Sequence, residues 1–163
     1  MPVTMESRGS ALPEPPTTAV PAEYGGTWRF SAPTADASVP QARKAVRDLI
    51  RRRRAPVPDE LLHSILLIVS ELVTNAVRHA ALLSPEVGVE VSLGAGWVWV
   101  SVEDDHPYRP KALAADPDRE HTGGRGLLLV KSVVAEAGGS CDVEQTASGG
   151  KVIRVALPLP LLT

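Results

Sequence analysis

The ten residues Ser70-Glu71-Leu72-Val73-Thr74-Asn75-Ala76-Val77-Arg78-His79 decide how this chain is read. They close a long pattern in which Leu62, Ile65, Leu66, Val69, Leu72, Val73, Ala76, Val77 and Ala80 recur at helical spacing. An amphipathic helix is therefore predicted from Asp59, as its cap, to about Ala81. At ~100° per residue, Glu71, Asn75 and Arg78 share one face of it, with His79 at the edge, roughly opposite the stripe centred on Val69, Val73 and Ala76. Polar residues on the back of such a helix are often only solvated. Here a carboxylate and a carboxamide stand one turn apart, which suits a general base beside an oxygen ligand for magnesium.

Upstream, Ser38 with Gln41 three residues on has the form of a capping box, and Ala42, Ala45, Val46, Leu49 and Ile50 continue at helical spacing into Arg51–Arg54. Those arginines, with Arg47 a turn earlier, carry enough charge to touch an acidic partner. The plainer reading, a solvated helix end that complements the helix dipole, carries more weight. Trp28 and Phe30 alternate as in a short strand. Residues 1 to about 25 scatter Pro2, Pro13, Pro15, Pro16 and Pro21 among Ser, Thr and Ala with no apolar period. They are predicted to form a disordered tail, leaving 26–163 as one domain.

Downstream, Val87, Val89, Val91 and Leu93 alternate with Gly88, Glu90 and Ser92 as a half-buried strand, and Gly94-Ala95-Gly96 turns into a second strand, Trp97 to Glu103. The aperiodic stretch from Asp104 to Gly123 is long for a connection and reads as a lid or binding loop. Gly124-Arg125-Gly126 opens a helix, Leu127 to Ala137, that Gly138-Gly139 closes. Strands Cys141–Thr146 and Lys151–Leu157 flank the turn Ser148-Gly149-Gly150. This order predicts an α+β fold: a two-layer α/β sandwich with a mixed, mostly antiparallel sheet and helices on one face. It lacks the strict strand–helix alternation of a dinucleotide fold, and no Walker-type Gly-Lys-Ser sequence occurs.

Two further segments carry candidate chemistry. Val98-Trp99-Val100-Ser101-Val102-Glu103-Asp104-Asp105-His106-Pro107 leaves a strand on carboxylates, and an aspartate there can accept a hydrogen bond from an exocyclic amine such as adenine's. Taken alone it is more simply turn chemistry. In Thr122-Gly123-Gly124-Arg125-Gly126-Leu127-Leu128-Leu129-Val130, glycines at a helix start let backbone N–H groups approach an anion, which Arg125 can supplement. As an isolated Gly-rich start that signal is weak.

Composition narrows the field. The 163 residues hold 17 Lys and Arg against 19 Asp and Glu, a formal charge of −2, without the basic excess of a general nucleic-acid binder. No run of consecutive apolar residues approaches the ~18 that a membrane span needs. The first sixteen residues lack a signal-peptide core. The one cysteine, Cys141, has no internal disulfide partner, so a reduced, cytoplasmic compartment is expected.

In this order and on these elements, the segment from about Ser31 to Leu157 resembles the GHKL (histidine-kinase-like) ATPases of the Bergerat fold, and looks most like bacterial anti-sigma-factor serine kinases. The resemblance rests on Ser70–His79, Val102-Glu103-Asp104 and Gly124-Arg125-Gly126-Leu127, with Gly150-Lys151 and the early helix at Ala42-Arg43 in agreement. It implies Glu71 as the general base and Asn75 as the magnesium ligand. Asp104 becomes the acceptor for the adenine amine. Arg78, His79, Gly124, Arg125, Gly126 and Leu127 fall among the ATP-binding residues, beneath a lid drawn from 105–123. ATP and magnesium are the implied cofactors. The sequence departs from the pattern at His106 and Tyr108, which stand where glycines are usual, and at Ala137, where a tryptophan is frequent.

Two functions from different classes follow. One is a serine/threonine protein kinase that phosphorylates an anti-anti-sigma-like partner and so decides whether a sigma factor is held. The other is a switch that sequesters its partner without phosphotransfer. Glu71 and Asn75 favour the kinase; His106 and Tyr108 favour the switch. The resemblance is compatible with a homodimer. A two-component sensor kinase is disfavoured because no helical hairpin bearing a phospho-accepting histidine precedes the domain. A topoisomerase or mismatch-repair ATPase is disfavoured by length.

Overall fold

In the computed structural model, which describes residues 25–80, 85–105 and 125–160, the Trp28–Phe30 alternation extends into strand β1 (Gly26–Pro33). Helices α1 (Ser38–Arg52) and α2 (Asp59–Ala80) follow, then strands β2 (Glu86–Gly94) and β3 (Trp97–Asp104). Helix α3 (Arg125–Glu136) and strands β4 (Ser140–Gln145) and β5 (Lys151–Pro158) complete the described chain. The predicted tail and most of the predicted lid lie outside the described residues, as do His106, Tyr108 and Gly124.

The five strands form one sheet in the order β1-β2-β3-β5-β4, and all four ladders are antiparallel. Two tight hairpins, β2–β3 and β4–β5, supply two of the ladders. The chain leaves β3, passes through α3 and returns at the edge as β4, so β5 slots in beside β3. That register sets Asp104 opposite Lys151.

Period-2 alternation divides the sheet into two faces. Val87, Val89, Val91, Leu93, Val98, Val100, Val102, Ile153, Val155 and Leu157 point to one side and pack with Val46, Ile65, Ile68, Val69, Leu72 and Val73 of the helices. Each fully buried side chain of this size contributes roughly 1.5–3 kcal/mol. The opposite side carries Arg29, Glu90, Ser101, Glu103, Glu144 and Arg154 along an open groove of about 750 Å³. This is the expected α+β sandwich, with the helices on one face.

Two helix starts differ from expectation. Ser38 is the first residue of α1 rather than its cap; Ala37 holds the cap position with helical φ and ψ and no side-chain hydrogen bond. The Ser38 hydroxyl instead donates to the Pro33 carbonyl at 2.6 Å, tying the helix to the end of β1. Asp59 likewise lies inside α2, since the Leu62 N–H donates to the Pro58 carbonyl, and with Glu60 it places acidic charge in the first turn. At the far end of α1, the Arg53 guanidinium stacks 4.7 Å from the Trp28 ring centre, so one of the four arginines braces β1. Helix α2 is long and apolar enough over Asp59–Arg78 (mean hydropathy 1.5) to cross a membrane by length and composition alone, but half of that window is buried inside the fold.

Candidate functional site

The back of α2 is covered in part: Asn75 is buried and Glu71 and Thr74 are half-buried, while Arg78 is exposed. Glu71, Thr74, Asn75 and Arg78 line a cleft of about 130 Å³ whose other wall is Gly126 and Leu127, at the start of α3. One helical turn brings the α2 residues onto a common face, and α3 docks against that face because Leu127, Val130 and Val134 bury into the core beside it. Asn75 is 6% exposed, and its Oδ1 finds no hydrogen-bond donor among the described residues. An unmatched buried carbonyl oxygen costs about 1–3 kcal/mol. A hard cation, which takes oxygen ligands, is a fitting partner for it. Among the described residues no cluster of three or more His, Cys, Asp or Glu is placed to hold a metal by itself.

Glu71 and Gly126 touch closely. A Cβ built on Gly126 would collide with Glu71 Oε2, so a larger residue there would have to turn the carboxylate away from the start of α3.

Asp104 lies elsewhere on the same side of the sheet, at the exit of β3, and is 4% exposed. It does not line the α2–α3 cleft. Lys151 Nζ stands 3.3 Å from Asp104 Oδ2, with the two side chains 3% and 2% exposed. Among the described residues the ammonium has no acceptor aligned for a hydrogen bond, so its contact with Asp104 is an ion pair. Burial pushes Lys151 below the usual lysine range, and the Asp104 charge pulls it part of the way back. Gly150 packs against the Asp104 carbonyl oxygen so tightly that a Cβ would overlap it.

The structure therefore brings together Glu71, Asn75, Arg78, Gly126 and Leu127 around one cleft, and Asp104 is not among the described residues that line it. Arg125 begins α3 and His79 lies in the last turn of α2; the side chains of both are outside the described residues, as is Gly124. Sequence reasoning missed Thr74, and it gave Lys151 no role. The Lys151 signal was present: it keeps the inward phase of Ile153, Val155 and Leu157, where a charge requires a partner. Cys141 plays no part in the cleft, and burial above all, with the nearby Asp142 charge, pushes its thiol up to about 12.

A family profile described as histidine kinase-like ATPase domain matches residues 32–157. The sensor histidine kinase PdtaS of Mycolicibacterium smegmatis is 29% identical over 100 residues, 59% of this chain but 19% of that protein. The chain thus spans about a fifth of the length of this curated relative. Among solved structures, the histidine kinase domain of a blue-light activated histidine kinase from Erythrobacter litoralis EL346 aligns with TM-score 0.50 and 26% identity. The alignment covers 78% of this chain and 61% of that one. The catalytic domain of the histidine kinase ThkA aligns with TM-score 0.52 at 18% identity, over 80% of this chain and 97% of that one, a likeness of fold.

Proposed function

The chain belongs to the histidine kinase-like ATPase family, as an ATP-binding GHKL domain, and from that premise we propose that it is a protein kinase that transfers the γ-phosphate of ATP to a serine or threonine of a partner protein. The observation that carries the proposal is the unmatched Asn75 oxygen beside Glu71, against the glycine start of α3.

In this reading Glu71 takes the proton from the acceptor hydroxyl. The hydroxyl oxygen forms its bond to the γ-phosphorus as the bond from phosphorus to the β–γ bridging oxygen breaks, and ADP leaves. Asn75 would hold magnesium, which offsets phosphate charge when bound. Gly124, Arg125, Gly126 and Leu127 would bind the phosphates, with Arg78 and His79 among the ATP-binding residues, as the family resemblance implies. Asp104 accepts from the adenine amine. The partner is of the anti-anti-sigma type, the outcome is control of a sigma factor, and the setting is the cytoplasm. The single cysteine, half-buried with its thiol held protonated, is consistent with a reducing compartment.

A second reading, in which the acceptor is a histidine on another segment or protein, is favoured by one observation: the relatives above are histidine kinases. Transfer of labelled γ-phosphate from ATP to candidate partners separates the readings, since phosphoserine survives acid and phosphohistidine does not. Acid-stable label is the expected result. Acid-labile label would replace the first reading with the second. ATP binding without any transfer would point to the sequestering switch.

A further inference from the structure

We infer that Lys151 is a positioning residue for recognition of the nucleobase, holding Asp104 ionised and fixed at the exit of β3. The inference rests on the reading that Asp104 accepts from the adenine amine.

Among the described residues, Asp104 and Lys151 are the only charged side chains that are buried. They face each other across the β3–β5 ladder with 3.3 Å between Nζ and Oδ2, on strands locked in register and with Gly150 seated on the Asp104 backbone. A buried ion pair is a poor stability device, because well-packed apolar residues of similar volume do as well or better. Its chemical effect is more specific. An ionised carboxylate only accepts hydrogen bonds, whereas a carboxylic acid also donates one, and only the acceptor form suits an amine. Burial without a cation favours the neutral acid. Lys151 supplies the cation from the neighbouring strand, and its charge 3.3 Å from Oδ2 holds the carboxylate in place.

Among the described residues, Lys151 is the buried cation beside Asp104. On this side of the sheet β2 presents Val87, Val89, Val91 and Leu93, and β4 presents Cys141 and Val143. On α2, Glu71 and Arg78 line the α2–α3 cleft. On α3, Lys131 is exposed, and Asp105, next along the chain, is exposed too. Glu103 and Glu144 lie on the opposite face, held by Arg29 and Arg154.

The test is calorimetric ATP binding by the full chain, wild type against Lys151→Met, from pH 7 to pH 9. At pH 7 the variant is expected to bind roughly 10- to 100-fold more weakly, the loss of one charge-assisted hydrogen bond. Its affinity should recover as pH rises and the carboxyl ionises, whereas wild-type affinity stays level or falls as Lys151 itself loses its proton. Wild-type affinity with an unchanged pH slope in Lys151→Met would overturn the inference and leave Asp104 as the base acceptor. Absence of ATP binding by the wild type would take down both.

If Lys151→Met does not fold, the charge-free double variant Asp104→Asn/Lys151→Met is compared with Asp104→Asn alone. Equal affinities are expected, because Lys151 acts only through the ionised Asp104. A further loss of roughly tenfold, about 1.4 kcal/mol, in the double variant would show Lys151 acting on its own and overturn the inference.

Discussion

Both faces of the sheet set a basic side chain against a carboxylate, and they differ in what surrounds the pair. On the open face, Arg29 meets Glu103 at 2.9 Å and Arg154 meets Glu144 at 2.7 Å, with the two arginines 60% and 49% exposed. On the helix-covered face, Lys151 and Asp104 are 3% and 2% exposed. Exposed pairs of this kind are screened by water and are worth about 0–1 kcal/mol. The buried pair costs desolvation that its own attraction only partly offsets. The covered face also carries the unmatched oxygen of Asn75. Local stability is given up on the side where the helices shut out water, and buried polar groups that run against packing are the ones expected to serve a ligand.

The sharpest way to break that contrast is on the covered face, at Glu71. A general base contributes about 10²- to 10⁴-fold to rate, so Glu71→Gln should cut phosphotransfer by that factor and leave ATP affinity within a few-fold. Asn75→Ala should damage both rate and affinity, because a metal ligand serves binding and chemistry together. Single-turnover transfer with parallel calorimetry measures both. Full transfer by Glu71→Gln would remove it as the base.

A smaller effect is expected where the covered face meets the base. With Asp104 as the proposed acceptor for the adenine amine, Asp104→Ala should remove one charge-assisted hydrogen bond worth roughly 1.5–3 kcal/mol and lower ATP affinity roughly 10- to 100-fold. The same substitution leaves Lys151 buried without its counter-charge, and a fall in melting temperature should accompany it. Unchanged affinity and stability would make the pair incidental.

The smallest effects belong to the open face. Arg29→Ala and Arg154→Ala should each cost at most about 1 kcal/mol, or roughly 2–4 °C in Tm for a domain of this size, with ATP affinity unchanged. A larger loss from either would erase the distinction between the faces.

How much of this could be read from the chain alone varies by segment. The nine-residue apolar stripe of α2 and the alternation in β2 and β3 were legible because each rests on a period that the backbone imposes. The helix starts at Ser38 and Asp59 were misplaced by about one residue, because a capping side chain and a tertiary hydrogen bond draw on the same hydroxyl or the same turn. In the site, Glu71, Asn75 and Arg78 were legible as one helix face. That Asn75 on that face is buried was not, because it depends on where α3 docks.

By itself, the sequence determined the elements, the α+β class and the one-turn spacing of carboxylate and carboxamide, all of them properties of chain segments a few residues long. Only the tertiary structure decided that Asn75 is buried and unmatched, that Gly126 rests against Glu71, and that Lys151 pairs with Asp104 across 47 residues of chain. The physical reason is that burial and charge pairing depend on which surfaces meet. A strand register or a docked helix can join residues that no local period relates.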